Sequence, residues 1–251
     1  MTTPPIVLVT RPRPEAEETA ARVEALGHRC LIEPMLEIVP LAGPPLDLAG
    51  VQALLVTSRN GARALATRTA ERGRLVLAVG EATAQSLRAL GFTSVTAAGG
   101  TAAELTDRVR DACDPGKGAL LHVRGDAVAI DPVPQLRGAG FEARAAVLYE
   151  ARTPSAFSPH LERTMRQGDI GYALFFSPRT ARTFVTLASA ADVTPACAEI
   201  EACCLSAAVA AALDEVRWRS VRVSVRPQQD ALLALLPASG ERRGSRGAHG
   251  E

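Results

Sequence analysis

Lysine is almost missing from this chain. Lys117 is the only one, and arginine carries nearly all of the positive charge. The formal net charge is only +1, so no general electrostatic pull towards nucleic acid or an anionic membrane is expected. Abundant Arg and Ala read as genomic base composition rather than as a basic binding face. No apolar run reaches the roughly 18 residues that a membrane span needs. The opening Met1-Thr-Thr-Pro-Pro5 has neither a charged n-region nor an apolar h-region, so no secretion signal is expected. The five cysteines, Cys30, Cys113, Cys197, Cys203 and Cys204, are odd in number and form no Cys-x-x-Cys pair. That favours reduced thiols and a cytoplasmic location over a disulfide framework. His28, His122, His160 and His249 show no metal-ligand spacing, and no Ser/His/Asp set can be nominated. A P-loop and a Gly-x-Gly-x-x-Gly fingerprint are both lacking, which speaks against a nucleotide-binding enzyme.

What is present is a pattern made twice. Leu54-Leu-Val-Thr-Ser-Arg-Asn-Gly-Ala-Arg-Ala-Leu65 begins as a short apolar run, breaks at Thr57-Ser58-Arg59-Asn60, and resumes with apolar residues at helical spacing. Leu174-Phe-Phe-Ser-Pro-Arg-Thr-Ala-Arg-Thr-Phe184 repeats it, with Ser58 matching Ser177 and Arg63 matching Arg182 at 119 residues. Arg11 and Arg124, and Gly27 and Gly140, are 113 apart, a register that sets Leu36 opposite Tyr149. Gly80 lines up with Ser206 and Leu87 with Leu213 at 126, and Leu105 with Leu232 at 127. An offset that only grows is what loop insertions in one copy produce. The chain is an internal duplication.

At 251 residues there is room for two domains of about 100 residues each. Ile6–Val9 reads as a buried strand and Glu15–Leu26 as a helix stopped by Gly27. Strands follow at Cys30–Ile32 and Leu36–Pro40, and Gly43-Pro44-Pro45 reads as a linker. Further strand-and-helix pairs are expected along the chain, with Glu150 onwards as a polar connector before the strand Tyr172–Phe176. The tail 238–251 is too polar to bury apolar area and should be disordered. A series of strand–turn–helix units makes parallel sheets flanked by helices, an α/β class.

Parallel sheets carry their ligand groups at the carboxyl ends of strands. Here those ends hold Thr10-Arg11, Thr57-Ser58-Arg59 with Asn60, Gly80-Glu81 with Thr83, Arg124-Gly125, Ser177-Pro178-Arg179 and Ser206. Small residues, hydroxyls, open helix N-termini and arginines bind carboxylates or phosphates. Two such edges facing each other would suit one multiply anionic ligand.

These residues resemble the uroporphyrinogen-III synthase family over about Ile6 to Leu236. The resemblance is carried by Val7-Leu-Val-Thr-Arg-Pro12, Leu26-Gly27-His28, Leu55-Val-Thr-Ser58, Ala78-Val-Gly-Glu-Ala-Thr83, Val147-Leu-Tyr149 and Phe175-Phe-Ser-Pro178, in the family's order. It implies two similar flavodoxin-like α/β domains joined by a two-stranded linker, the first strand and helix packing with the C-terminal half. The expected bounds are 1–38 with 155–237 for one domain and 46–148 for the other, with crossings at 39–45 and 149–154. The implied reaction closes the linear tetrapyrrole hydroxymethylbilane into uroporphyrinogen III, losing water and inverting ring D through an azafulvene and a spiro intermediate. It is taken to need no metal or organic cofactor, and implies a monomer that receives substrate by transient hand-over from hydroxymethylbilane synthase.

On that resemblance Tyr149 matches the family's mechanistic tyrosine. A phenol keeps its proton at neutral pH and can donate it to the leaving hydroxyl; the alternative is a Tyr kept for packing at a domain crossing. Thr57, Ser58 and Thr83, and less strongly Ser177 and Ser206, either bind substrate carboxylates or serve only as helix caps. Arg124 is the first choice for a carboxylate grip because Gly125 should leave the backbone open beside it, with Arg59 and Arg179 next and Arg11 after them. Glu81 reads as a helix N-terminal acid and Cys203-Cys204 as core. A rival function is a non-catalytic two-lobed protein that closes on an anionic metabolite.

Overall fold

The computed structural model describes residues 4–127 and 131–237, so the tail 238–251 lies outside the described residues. In chain order the first elements are β1 (Ile6–Val9), α1 (Glu15–Ala25), β2 (Arg29–Ile32), β3 (Glu37–Pro40), β4 (Val51–Val56), α2 (Arg59–Arg68), β5 (Leu75–Ala78), α3 (Glu81–Ala89), β6 (Val95–Ala97) and α4 (Ala102–Ala112). They continue as β7 (Ala119–Gly125), α5 (Val133–Gly138), β8 (Ala143–Arg152), α6 (Pro159–Arg166), β9 (Ile170–Phe175), α7 (Pro178–Ala190), β10 (Glu201–Cys204), α8 (Ala207–Ala211), β11 (Ser220–Val223) and α9 (Gln229–Leu233).

Two sheets form. One has the order β11-β10-β9-β1-β2 and the other β3-β8-β7-β4-β5-β6. The strands of the first pair in parallel throughout, as do β8-β7-β4-β5-β6 in the second. The chain divides accordingly into two compact units, Met1–Glu37 with Thr153–Glu251, and Ile38–Arg152.

The duplication explains both orders at once. Setting β1 against β7, β2 against β8, β4 against β9, β5 against β10 and β6 against β11 turns one strand order into the other, apart from the added β3. The copies have exchanged their opening strand–helix–strand segments. β1-α1-β2 of the first copy lies beside β9 of the second, and β7-α5-β8 of the second lies beside β4 of the first. Gly27 and Gly140 end the matching helices at φ 81° and 89°, a left-handed turn that a Cβ disfavours.

Each sheet is buried on both faces, which is why its strands read as apolar runs. In the second unit Leu54, Val56, Leu65 and Leu87 pack on one face, and Leu55, Leu77, Leu105 and Leu136 on the other. The scarce aromatics collect in the first unit, where Phe157, Phe175, Phe184 and Trp218 meet with ring centroids 5.2–5.7 Å apart.

Two expectations are corrected. The connector after Glu150 contains α6, capped by Ser158 accepting from the Leu161 N–H at 3.2 Å, with Glu33 receiving both the Ser158 N–H and its hydroxyl. Its buried face is only Leu161, Thr164 and Met165, too short a stripe to stand out. A 3-10 helix, Thr194–Glu199, was also not expected. Residues 39–40 and 149–152, placed in the two-stranded crossings, are strand: β8 runs ten residues and pairs β3 on its outer edge. Tyr149 is therefore inside β8.

Candidate functional site

An open parallel sheet opens its ligand crevice where the strand order reverses. In the second unit the chain steps from β4 to β5 and β6 on one side and returns to β7 on the other. Right-handed crossovers in opposite directions put successive helices on opposite faces, so the carboxyl ends of β4 and β7 are left uncovered. Thr57-Ser58 follow β4 there, and Arg124-Gly125 end β7. In the first unit the reversal lies between β1 and β9, where Thr10-Arg11 and Ser177-Pro178-Arg179 stand.

Strand alternation sorts the second unit's groups into two sets. On the face of α2, Ser58 is the helix N-cap, its Oγ accepting the Gly61 N–H at 2.9 Å. The same Oγ lies 3.0 Å from the Tyr149 hydroxyl, and Tyr149 is only 8 % exposed. The cap thus also holds the phenol. Gly125 is part of this set. A Cβ there would lie 2.6–3.1 Å from the Tyr149 ring, so the missing side chain makes room for the tyrosine.

On the other face stand Thr57, His122, Arg124 and Asp131. His122 is fully buried, with Nε2 3.3 Å from Thr57 Oγ1 and Nδ1 3.5 Å from Asp131 Oδ1. Burial pushes its pKa below the ordinary imidazole value, Asp131 opposes that, and the Arg124 guanidinium adds to it. Arg124 is half-buried, and its Nε finds no hydrogen-bond partner among the described residues. The sequence reading missed His122 and Asp131. The available signal was a histidine inside an apolar strand, two positions before Arg124 and so on the same face.

The remaining candidates are placed as follows. Arg59 and Asn60 open α2, and Asn60 Oδ1 accepts from the Arg63 guanidinium. Gly80 caps α3 without a side chain, and Thr83 is buried in its first turn. Both follow β5, one strand away from the reversal. In the first unit Ser177 caps α7 through the Thr180 N–H at 3.2 Å, with Pro178 at the first helical position. Ser206 stands at the α8 N-cap with no side-chain cap bond. Arg11 is anchored within its unit: it donates to Gln229 Oε1 at 2.8 Å and its guanidinium lies 4.3 Å from the centre of the Phe176 ring. Arg179 joins Thr153, Arg182, Thr183 and Thr186 around an open pocket of about 290 Å³. Glu81 pairs with Arg88 at 2.8 Å, and Cys203 and Cys204 are buried. Among the described residues no three His, Cys, Asp or Glu side chains converge as a metal site needs, and no helix is long and apolar enough to cross a membrane.

Comparison with solved structures finds the same fold in uroporphyrinogen-III synthetase from Helicobacter pylori, at 17 % identity, TM-score 0.59, and coverage of 93 % of this chain and 98 % of that one. A mutant uroporphyrinogen III synthase from Thermus thermophilus is 18 % identical over 92 % of this chain and 96 % of that one, at a TM-score of 0.49 too low to carry weight. No curated protein matches the sequence at a significant level. The family model described as uroporphyrinogen-III synthase HemD matches residues 17–234, most of the chain. The chain belongs to the uroporphyrinogen-III synthase family of cyclising lyases.

Proposed function

We propose that this enzyme closes hydroxymethylbilane into uroporphyrinogen III, losing the ring A hydroxyl as water and inverting ring D, and that Tyr149 is its acid. The observation that supports this most is the Tyr149 hydroxyl standing at the carboxyl edge of the second unit's sheet, 3.0 Å from a serine that a helix N-terminus already holds. The Gly61 N–H occupies a Ser58 lone pair, so the Ser58 proton is free to point at the Tyr149 oxygen. Tyr149 then keeps its own proton for an outside acceptor. Donation into the tyrosine oxygen strengthens that outward bond, because linked hydrogen bonds polarise one another.

The step balances as follows. The pyrrole nitrogen of ring A pushes electrons towards its hydroxymethyl carbon, the C–O bond breaks, and Tyr149 supplies the proton that makes the departing oxygen water. Ring D attacks the resulting azafulvene through its substituted carbon, giving a spiro intermediate that fragments and recloses inverted. The proton that ring D loses on regaining aromaticity restores the phenol. Holding eight carboxylates in one folded pose is the larger part of the task. Arg124, Arg59 and Arg179 are suited to that as forked carboxylate partners, beside the N-termini of α2 and α7. We read the protein as a cytoplasmic monomer that takes its substrate from hydroxymethylbilane synthase.

A coupled assay tests this. Hydroxymethylbilane is generated in place by its own synthase, the products are oxidised, and the porphyrin isomers are separated. Isomer III should rise with added protein at the expense of isomer I. Isomer I alone, from folded protein, would overturn the reading and favour a protein that only binds an anionic metabolite.

A further inference from the structure

The mechanism above leaves a fully buried histidine unused. His122 sits in the middle of the second unit's sheet, 0 % exposed, on the strand that also carries Arg124. It does not simply fill space, since a buried histidine has two polar nitrogens to satisfy. Each ring nitrogen faces one polar group, Thr57 Oγ1 at 3.3 Å from Nε2 and Asp131 Oδ1 at 3.5 Å from Nδ1. Asp131 is itself held, its Oδ1 accepting the Val133 N–H at 3.1 Å at the start of α5. The line Asp131–His122–Thr57 therefore runs from a fixed carboxylate, along one face of the sheet, to its ligand edge.

We propose that His122 is a positioning residue that turns the Thr57 hydroxyl inward, so that Thr57 receives a hydrogen-bond donor of the substrate rather than a carboxylate. The inference rests on the reading that this edge binds the tetrapyrrole. Asp131 is 3.5 Å from Nδ1, beyond a good hydrogen bond, but its charge favours the imidazole proton on that nitrogen. Nε2 is then an acceptor, and only Thr57 stands by to donate to it. Burial keeps the ring neutral, which preserves this arrangement near neutral pH. With its proton committed to His122, Thr57 presents lone pairs alone to the outside. Lone pairs repel a carboxylate. They accept a pyrrole N–H, of which a linear tetrapyrrole has four, or the hydroxymethyl O–H. Arg124, on the same face, is left to take the neighbouring acid side chain. The edge would thus read a pyrrole by both of its features, a ring donor and a charged arm.

The expectation from sequence, that Thr57 grips a propionate or acetate, is the opposite orientation of the same hydroxyl. Long-range ¹H–¹⁵N spectra of the histidine rings in the intact protein at pH 7.5 distinguish them without any assay. The His122 signal, assigned by its loss in His122→Gln, should show Nδ1 protonated and Nε2 bare. A protonated Nε2 overturns the proposal. In the coupled assay, His122→Leu should raise KM about tenfold with a smaller change in kcat. His122→Gln, which can put a carbonyl oxygen where Nε2 was, should recover most of that loss. In a Thr57→Val background His122→Leu should cost nothing further, because its effect passes through Thr57. Equal cost in both backgrounds, or no recovery by Gln, overturns the proposal while isomer III is still made. Asp131→Asn, an exchange outside the core, should shift KM in the same direction and guards against a Leu variant that fails to fold. Isomer I alone from the wild type would instead overturn the function itself, and the role given to Thr57 with it.

Discussion

At the scale of single residues, Tyr149 and Gly125 form a pair that sequence alone cannot separate into cause and consequence. Tyr149→Phe should lower kcat by roughly 10²-fold, the lower end of what a positioned acid contributes. It should also cost about 1 kcal/mol of stability through the lost bond to Ser58. Gly125→Ala leaves the phenol in the chain but forces its ring aside, because the new Cβ would sit 2.6 Å from a ring carbon. A loss of about 1–3 kcal/mol in urea unfolding together with reduced turnover is expected. Unchanged turnover in Gly125→Ala would show that the ring need not lie where it does. Arg124→Ala should act on binding, raising KM tenfold or more with little effect on melting, since its Nε has no protein partner to lose. The thiols give a separate check on the core. Burial pushes Cys30, Cys197, Cys203 and Cys204 up to about 12, and raises Cys113 as well. At pH 8 the native protein should therefore react slowly with a thiol reagent, Cys113 first, and all five should react at once in denaturant.

At the scale of elements, the two copies use one device for different ends. Ser58 and Ser177 both cap the helix that follows the strand at the reversal, and each should cost about 1 kcal/mol when changed to Ala. Only Ser58 also holds Tyr149, so Ser58→Ala should slow turnover whereas Ser177→Ala should lower melting alone. The capping role was legible in the sequence for these serines, because a strand run, a hydroxyl and a helical period are local features. That the two differ was not, since the tyrosine reaches Ser58 from a strand 91 positions away. His122 failed to register for a similar reason. Nothing local marks a buried histidine as polar-paired until β4 and β7 are laid side by side and Thr57 comes against it. The pairing has a consequence for stability. The unfolded chain takes up the His122 proton near the ordinary value of 6.5, while the folded chain resists it to a lower pH. Between those values the unfolded state binds more protons, so stability falls as pH drops below 6.5 and is unaffected above it. His122→Gln should flatten the wild-type slope below pH 6.5 in urea titrations, by at most ~1.4 kcal/mol per pH unit.

At the scale of the whole molecule, the repeat announced itself through offsets that grow from 113 to 127, yet offsets alone favour cutting the chain between the copies. The sheets cut it elsewhere, because β1 pairs with β9 and β7 with β4, each copy lending its opening segment to the other's sheet. The exchange leaves the two units unlike in one respect. Ile38–Arg152 is a single stretch that contains every strand from β4 to β8, both of its apolar faces and the whole Tyr149 and His122 constellation. The other unit needs two stretches of chain, Met1–Glu37 and Thr153–Glu251, that have no covalent link to each other once the middle is removed. A chain that closes its own core is a domain able to fold alone. The fragment 38–152 should therefore fold when expressed by itself, with a cooperative thermal transition and dispersed amide spectra, and its His122 ring should keep the tautomer it has in the full protein. It should make no isomer III, because the other unit's Arg179, a proposed carboxylate partner, is absent from it. A fragment that stays unfolded would mean that the second unit's sheet depends on the rest of the chain for its stability, and that the exchanged segments are coupled more tightly than sheet pairing alone requires.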